Sequence, residues 1–196
     1  KVMLDKLELL DRELFLAING WHAPMFDNIM YYVSQIWVFA PVFVYWLYMV
    51  FNRYGLKKLL ILLGFLGLLV LLTDQTSNIT KHTIKRYRPT HNLEIQSKVH
   101  IVNEYKGGLY GFFSGHSTNT FGVAMLLFLI FRKESLVFRL LFFAWAALTA
   151  YSRIYLGVHY PSDIFVGFIV GIFWGYVVYR LIQFTFKQQF LETIEV

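Results

Sequence analysis

Five stretches of this chain run with few or no charges: about Asn28 to Val50, Leu59 to Leu72, Ser117 to Phe131, Leu136 to Leu156 and Ile164 to Phe186. A hydrocarbon core of about 30 Å needs roughly 20 apolar residues of helix, so each run is read as a crossing. The second continues as a more polar helix toward Lys81. The third is short for a full crossing, which predicts that its start is sunk among other helices and forms a buried, functional end. Residues 1 to 22 alternate charges with Leu and Phe at helical spacing, the pattern of an amphipathic helix lying in the interface, and residues 1–26 are read as that segment. Acidic residues interrupt its apolar positions and no small-residue cleavage site follows, so it does not read as a signal peptide. No internal repeat or flexible linker breaks the chain. The expected fold is all-α: one domain over residues 1–196, an integral membrane bundle of about five transmembrane helices plus the interfacial helix, with 77–116 as a loop on one side.

Composition supports lipid as the solvent. Hydrophobic residues make up 57% and charged residues 15% of the chain, against about 45–50% and 25% in soluble domains. The 20 Phe, 13 Tyr and 5 Trp suit membrane interfaces. Cysteine is absent, which excludes disulfides and thiolate-ligated metals. A net charge of +6 fits either basic loops held at the cytoplasmic face or an anionic ligand. Five crossings put the turns "NRYGLKK" and "RKES" on one side, and the loop from Ser77 to Ser114 and the turn around His159 on the other. Short basic turns normally face the cytoplasm, so the long loop is expected to face outward. The outward side nevertheless carries ten of the 18 Lys and Arg residues. A concentrated outward anion site would account for that excess.

The polar chemistry gathers on the same outward side. In "TKHTIKRYRPTH", Lys81, Lys85, Arg86 and Arg88 fall within eight positions. On a helix Lys81, Lys85 and Arg88 share one face, and Pro89 ends that helix or its last turn. This is either an anion site or a juxtamembrane basic patch for lipid head groups. In "GFFSGHST", Ser114 and Gly115 open the third crossing, where unpaired backbone N–H groups and the helix dipole attract phosphate. His116 stands beside that position, able to give or take a proton. A plain Ser N-cap with an incidental His is the other reading. In "YSRIYLGVHYPSD", Arg153 supplies a planar fork for phosphate oxygens. His159 and Asp163 lie four residues apart at a helix start that Pro161 favours, close enough for the carboxylate to orient the imidazole. The competing reading is a snorkelling Arg and a structural His–Asp pair. Together the three segments make an inventory for phosphoryl transfer without an acidic metal cluster. Asp74, seven residues before Lys81 and on its helical face, is either a partner for that lysine or an acid at the water boundary. His82, His91 and His100 lack partner spacing. All four are left outside the expected site.

At this point the chain resembles a family, the type 2 phosphatidic acid phosphatase (PAP2) superfamily. "KHTIKRYRP" matches its first motif, Lys, six residues, Arg, Pro. "SRIYLGVHYPSD" matches the third, Ser-Arg, five residues, His, three residues, Asp. "FSGH" is similar to the second, with Phe113 where proline is usual. The separations of about 25 and 36 residues also fit, and the resemblance covers about Thr73 to Val170. It implies that Lys81, Arg88 and Arg153 bind phosphate with Ser114 and Gly115. It further implies that His159 becomes phosphorylated, that Asp163 orients it, that His116 protonates the departing alcohol, and that water hydrolyses the phosphohistidine. No cofactor or metal is expected. The family also holds soluble vanadate-dependent haloperoxidases, a branch at odds with five apolar runs. The expected function is therefore hydrolysis of a lipid phosphate: phosphatidic acid, phosphatidylglycerol phosphate, polyprenyl diphosphate or lipid A phosphate. Phosphotransfer between lipids, or a non-catalytic anion- or lipid-binding role, are the alternatives. The expected partners are that lipid and the bilayer, not nucleic acid. The expected location is a bacterial inner membrane, multi-pass, with the site facing the periplasm or exterior. The segment "NEYKGGLYGFF" is expected to line the entrance.

Overall fold

The computed structural model describes residues 2–194. Six α-helices carry the fold: α1 (Val2–Asn19), α2 (Pro24–Val33), α3 (Ala40–Ile84), α4 (Gly115–Ile130), α5 (Leu136–Tyr155) and α6 (Pro161–Ile194). Among the described residues there is no strand beyond a single antiparallel bridge between Tyr87 and Tyr110. An all-α membrane bundle is what the apolar runs predicted. Three stretches are long and apolar enough to cross a bilayer: Tyr54–Ile84, Leu136–Tyr155 and Pro161–Thr185. The polar extension expected after Leu72 is thus part of one continuous helix.

Two of the five expected crossings take a different form. The run from Asn28 to Val50 is not one helix; Pro24–Val33 and Ile36–Asn52 meet at 78° around a short 3-10 turn at Ile36–Phe39. Ser34 marks the break by donating its hydroxyl to the Tyr31 carbonyl at 2.7 Å. An uncharged sequence carries no charge signal at such a bend. The other exception is α4, 16 residues long, which begins inside the bundle with Ser114 fully buried. Its sunken start matches expectation. A further turn inside α3 rests on Gly55, whose φ of 79° lies in the left-handed region open to glycine.

Close approach of α4 and α6 sets the frame for the site. Gly167, Gly171 and Gly175 form a stripe on α6, and a Cβ at these positions would meet α4 backbone: 2.8 Å from the Ser114 carbonyl, 2.5 Å from that of Thr118 and 2.5 Å from that of Gly122, respectively. With no hydrophobic force between helices in lipid, such small-residue contacts let backbones pack directly. The stripe begins at the N-terminus of α4, so it fixes that terminus against the first turn of α6. A second anchor is the amphipathic helix. Its Phe15 is buried edge-on against Tyr160, ring centroids 5.4 Å apart. Its buried Asn19 donates to the Ile154 and Tyr155 carbonyls at 3.1 and 2.9 Å and accepts the His100 N–H at 2.8 Å.

Candidate active site

The C-terminal ends of α3 and α5 and the N-terminal ends of α4 and α6 meet at one end of the bundle, and they carry Lys81, Arg153, Ser114 to His116, and Asp163. Helix α3 stops earlier than Pro89 suggested. Lys85 takes a left-handed conformation (φ 54°) and its N–H closes the last turn on the Lys81 carbonyl at 3.0 Å. The chain then extends and pairs with the segment before α4: the Arg88 N–H donates to Leu109 at 3.1 Å and the Gly111 N–H to Arg86 at 2.9 Å. Lys81 and Arg88 therefore reach one cavity through a reversal rather than along one helical face, while Lys85 is turned into a separate outer cleft. The loop expected over 77–116 accordingly begins at Lys85.

His159 and Asp163 are both buried, at 1% and 0% exposure. Asp163 Oδ2 lies 3.3 Å from His159 Nδ1 and accepts the Tyr160 N–H at 3.0 Å. Oδ1 accepts from Arg86 Nη1 at 3.0 Å. On the other edge of the imidazole, Nε2 is 3.4 Å from Arg88 Nη1. A guanidinium can only donate, so this contact needs an unprotonated Nε2 and a proton on Nδ1 facing the carboxylate. Burial, and then the positive charges of Arg88, Arg153 and Lys81, hold the His159 imidazole well below its ordinary range. The ring is kept neutral, with its lone pair on the cavity side.

That cavity has a volume of about 360 Å³ and is lined by Lys81, Arg88, Arg153, Gly115, His116 and His159, with Ile36, Phe39 and Trp145 on its apolar side. Arg153 is 1% exposed; its Nη2 donates to the Tyr105 hydroxyl at 2.9 Å and its Nε has no partner. Burial, and then the positive charge of the neighbouring Arg153, lower the proton affinity of Arg88. At Gly115 a Cβ would stand 3.3 Å from Ser77 Oγ and 3.5 Å from Lys81 Nζ, so glycine keeps the lysine close to the helix start. The expected residues do not all face the cavity. Ser114 stands behind its wall: its hydroxyl accepts the Ser117 N–H at 3.4 Å and its own N–H donates to the Asp163 carbonyl at 3.1 Å. The first-turn N–H groups of Gly115 and His116 lack intrahelical partners by helix geometry and lie at the cavity.

Some residues at or behind the cavity lay outside the expected site. Asp74, which sequence reasoning weighed as a partner for Lys81 and left out, lines the cavity and accepts from Asn119 Nδ2 at 2.9 Å. Gly111 packs under the His–Asp pair, where a Cβ would sit 3.2 Å from Asp163 Oδ2. Arg86 lies within the first motif, but nothing in its spacing separates it from other juxtamembrane cations. From "NEYKGGLYGFF", Tyr105 lines the cavity, whereas Gly107 packs against the Arg88 guanidinium. His82, His91 and His100 do not line it. His100 instead bonds Asp27 at 2.9 Å and stacks on His22 at 3.7 Å between centroids.

Comparison with known proteins places this arrangement among relatives. A family model described as the PAP2 superfamily matches residues 58–187. The chain is 36% identical over 177 residues to a lipid A 4'-phosphatase of Porphyromonas gingivalis, spanning 87% of this chain and 72% of the relative. It is 34% identical to a lipid A 4'-phosphatase of Bacteroides thetaiotaomicron, over 90% of this chain and 79% of that one. The crystal structure of Aquifex aeolicus LpxE superposes with a TM-score of 0.67 at 27% identity, covering 87% of this chain and 95% of the other.

Proposed function

The chain belongs to the PAP2 superfamily and is a membrane lipid phosphatase, and from that premise we propose that it removes a sugar-linked phosphate from a lipid A-type substrate through a phosphohistidine at His159. The observation that supports this reading is the two-sided hold on the His159 ring: Nδ1 on Asp163 at 3.3 Å and Nε2 3.4 Å from Arg88 Nη1, at a cavity ringed by cations. A phosphate dianion seated among Lys81, Arg88, Arg153 and the α4 N-terminus would have its equatorial oxygens neutralised. His159 Nε2 attacks phosphorus, and the ester P–O bond breaks in line. The charge of the seated dianion offsets the cations around His116, which is protonated in the complex and gives that proton to the departing alkoxide. Asp163 stabilises the imidazolium charge that develops on His159. In the second half His116, now neutral, takes a proton from water as that water attacks phosphorus, releasing inorganic phosphate and restoring both histidines. Positive charge in this cycle comes from Lys81, Arg88 and Arg153. The choice of a lipid A-type substrate draws on the two relatives named for it. We place the site at the outer face of a bacterial inner membrane, an orientation supported by the short basic turns at the opposite end.

Phosphate release by purified protein, with EDTA present, from lipid A, phosphatidylglycerol phosphate, phosphatidic acid and a polyprenyl diphosphate tests the proposal. Lipid A turnover should exceed the others, and a rapid quench should trap an acid-labile, base-stable phosphoprotein. Preference for the diphosphate would overturn the substrate assignment. Activity lost to EDTA and restored by Mg²⁺ would overturn the mechanism.

A further inference from the structure

The amphipathic helix α1 does more than rest against the bundle, because its Asp11 is wired to the residue behind the nucleophile. Asp163 is fully buried, and both of its oxygens are engaged: Oδ2 by Tyr160 N–H and His159, Oδ1 by Arg86 Nη1 at 3.0 Å. Among the described residues Arg86 is the one Lys or Arg in ion-pair contact with that carboxylate. Its other nitrogen, Nη2, donates to Asp11 Oδ2 at 2.7 Å. Asp11 Oδ1 accepts the Ser162 N–H at 2.9 Å, and Oδ2 accepts the Ser162 hydroxyl, so the α1 carboxylate also occupies the first turn of α6, where negative charge is favoured. The Arg86 guanidinium lies over the Tyr160 ring, 4.0 Å from its centroid, and Phe15 of α1 packs on the same ring. Arg86 belongs to the wall of the outer cleft with Asp11 and Ser162, not to the phosphate cavity.

We propose that Arg86, held by Asp11 of the interfacial helix, is a positioning residue that fixes the Asp163 carboxylate and through it the His159 ring. The inference rests on the reading of His159 as nucleophile. A guanidinium held at one nitrogen by Asp11 presents its other nitrogen to Asp163 Oδ1 in a fixed direction, which limits how the carboxylate can turn. Without Arg86 the Asp163 charge is buried without its ion pair, and the Tyr160 N–H alone is left to hold the oxygen that faces Nδ1. Because Arg86 does not touch the cavity, its loss should slow the chemical step without changing substrate capture. The membrane-seated helix and the attacking nitrogen thereby form one ionic chain, Asp11 to Arg86 to Asp163 to His159.

The test measures kcat and KM on one soluble short-chain phosphatidic acid for Arg86→Gln, Arg86→Lys, Asp11→Asn, Asp163→Asn and the pair Arg86→Gln/Asp163→Asn, with folding checked by gel filtration in detergent. Outer partners of reacting groups typically contribute about 10- to 100-fold. Arg86→Gln should lower kcat by that much with KM within about threefold, Arg86→Lys should recover part of it, and the double variant should be no worse than Asp163→Asn alone. A rise in KM at unchanged kcat, or multiplicative losses in the double variant, would overturn the proposal. If Arg86→Gln does not fold, Asp11→Asn decides, compared with Arg12→Gln on the same helix, whose partners are Glu8 and Glu94. Loss in the first with wild-type kcat in the second supports the chain of contacts; equal effects in the two overturn it. His159→Ala, run in parallel, separates the failures. Activity there would remove the nucleophile on which the inference stands, whereas an inactive His159→Ala beside an unaffected Arg86→Gln would sink the positioning role alone.

Discussion

His159 Nε2 is presented to the cavity by a ring that is buried, neutral and held from behind, and each of those conditions makes a different substitution informative. His159→Ala removes the attacking atom and little packing, so turnover should vanish while the protein stays folded in detergent; retention of more than about a tenth of wild-type kcat would count against the role. Asp163→Asn keeps the shape but can hold the wrong tautomer, and a large, incomplete loss is expected. His116→Ala should separate substrates by leaving group. A lipid alkoxide needs the proton and should lose about 10²- to 10⁴-fold, whereas p-nitrophenyl phosphate leaves with little help and should lose at least tenfold less. Equal losses on both would deny His116 the acid's part. These residues were legible in the sequence because the chemistry demands fixed spacings: four residues between His159 and Asp163 within a helix start, and a Gly115–His116 pair at a helix N-terminus. Arg86 and Asp11 were not, since 75 residues separate them and each resembles an ordinary interfacial charge until the fold brings them together.

At the scale of elements, the proposed phosphate site depends on how closely α6 passes α4. A side chain at Gly171 would meet the Thr118 carbonyl and the Gly122 backbone, and backbone yields less than a rotamer does. Gly171→Leu should therefore cost about 1–3 kcal/mol or more, read as a lower unfolding temperature in detergent. It should also lower activity, because the α4 N-terminus moves with the strain. An unchanged unfolding temperature would show that the helices do not meet there. The four-residue repeat of glycines in "VGFIVGIFWG" carried this signal in the sequence, though apolar content alone reads the segment simply as a span. The bend between α2 and α3 was less legible. Its residues are as uncharged as those of a straight crossing, and the break at Ser34 becomes visible only once Val33, Ile36 and Phe39 are seen to line the cavity.

At the scale of the whole molecule, four helix ends share one concentration of positive charge, and the folded state bears its mutual repulsion. Vanadate, which can adopt the trigonal bipyramid of phosphoryl transfer, should relieve that repulsion and bind with His159 in line. At about 100 times its Kd it should raise stability by about 2.7 kcal/mol, seen as a higher unfolding temperature unaffected by EDTA. Arg153→Lys should forfeit most of that shift, because an ammonium lacks the planar fork; a full shift in this variant would remove Arg153 from the anion site. The bundle and its polar end could be read from hydropathy and motif order. The walls between them could not, because part of them comes from Val33, Ser34, Ile36 and Phe39, in a stretch that carries no charge to mark it. Those walls carry a consequence for turnover. The cavity has a charged floor and, through Ile36 at 69% exposure and the adjoining Trp37 at 61%, an exposed apolar rim suited to lipid. In the proposed reaction the two products would then part by solubility, inorganic phosphate into water and the dephosphorylated lipid sideways into the bilayer, so accumulation of one should not slow escape of the other.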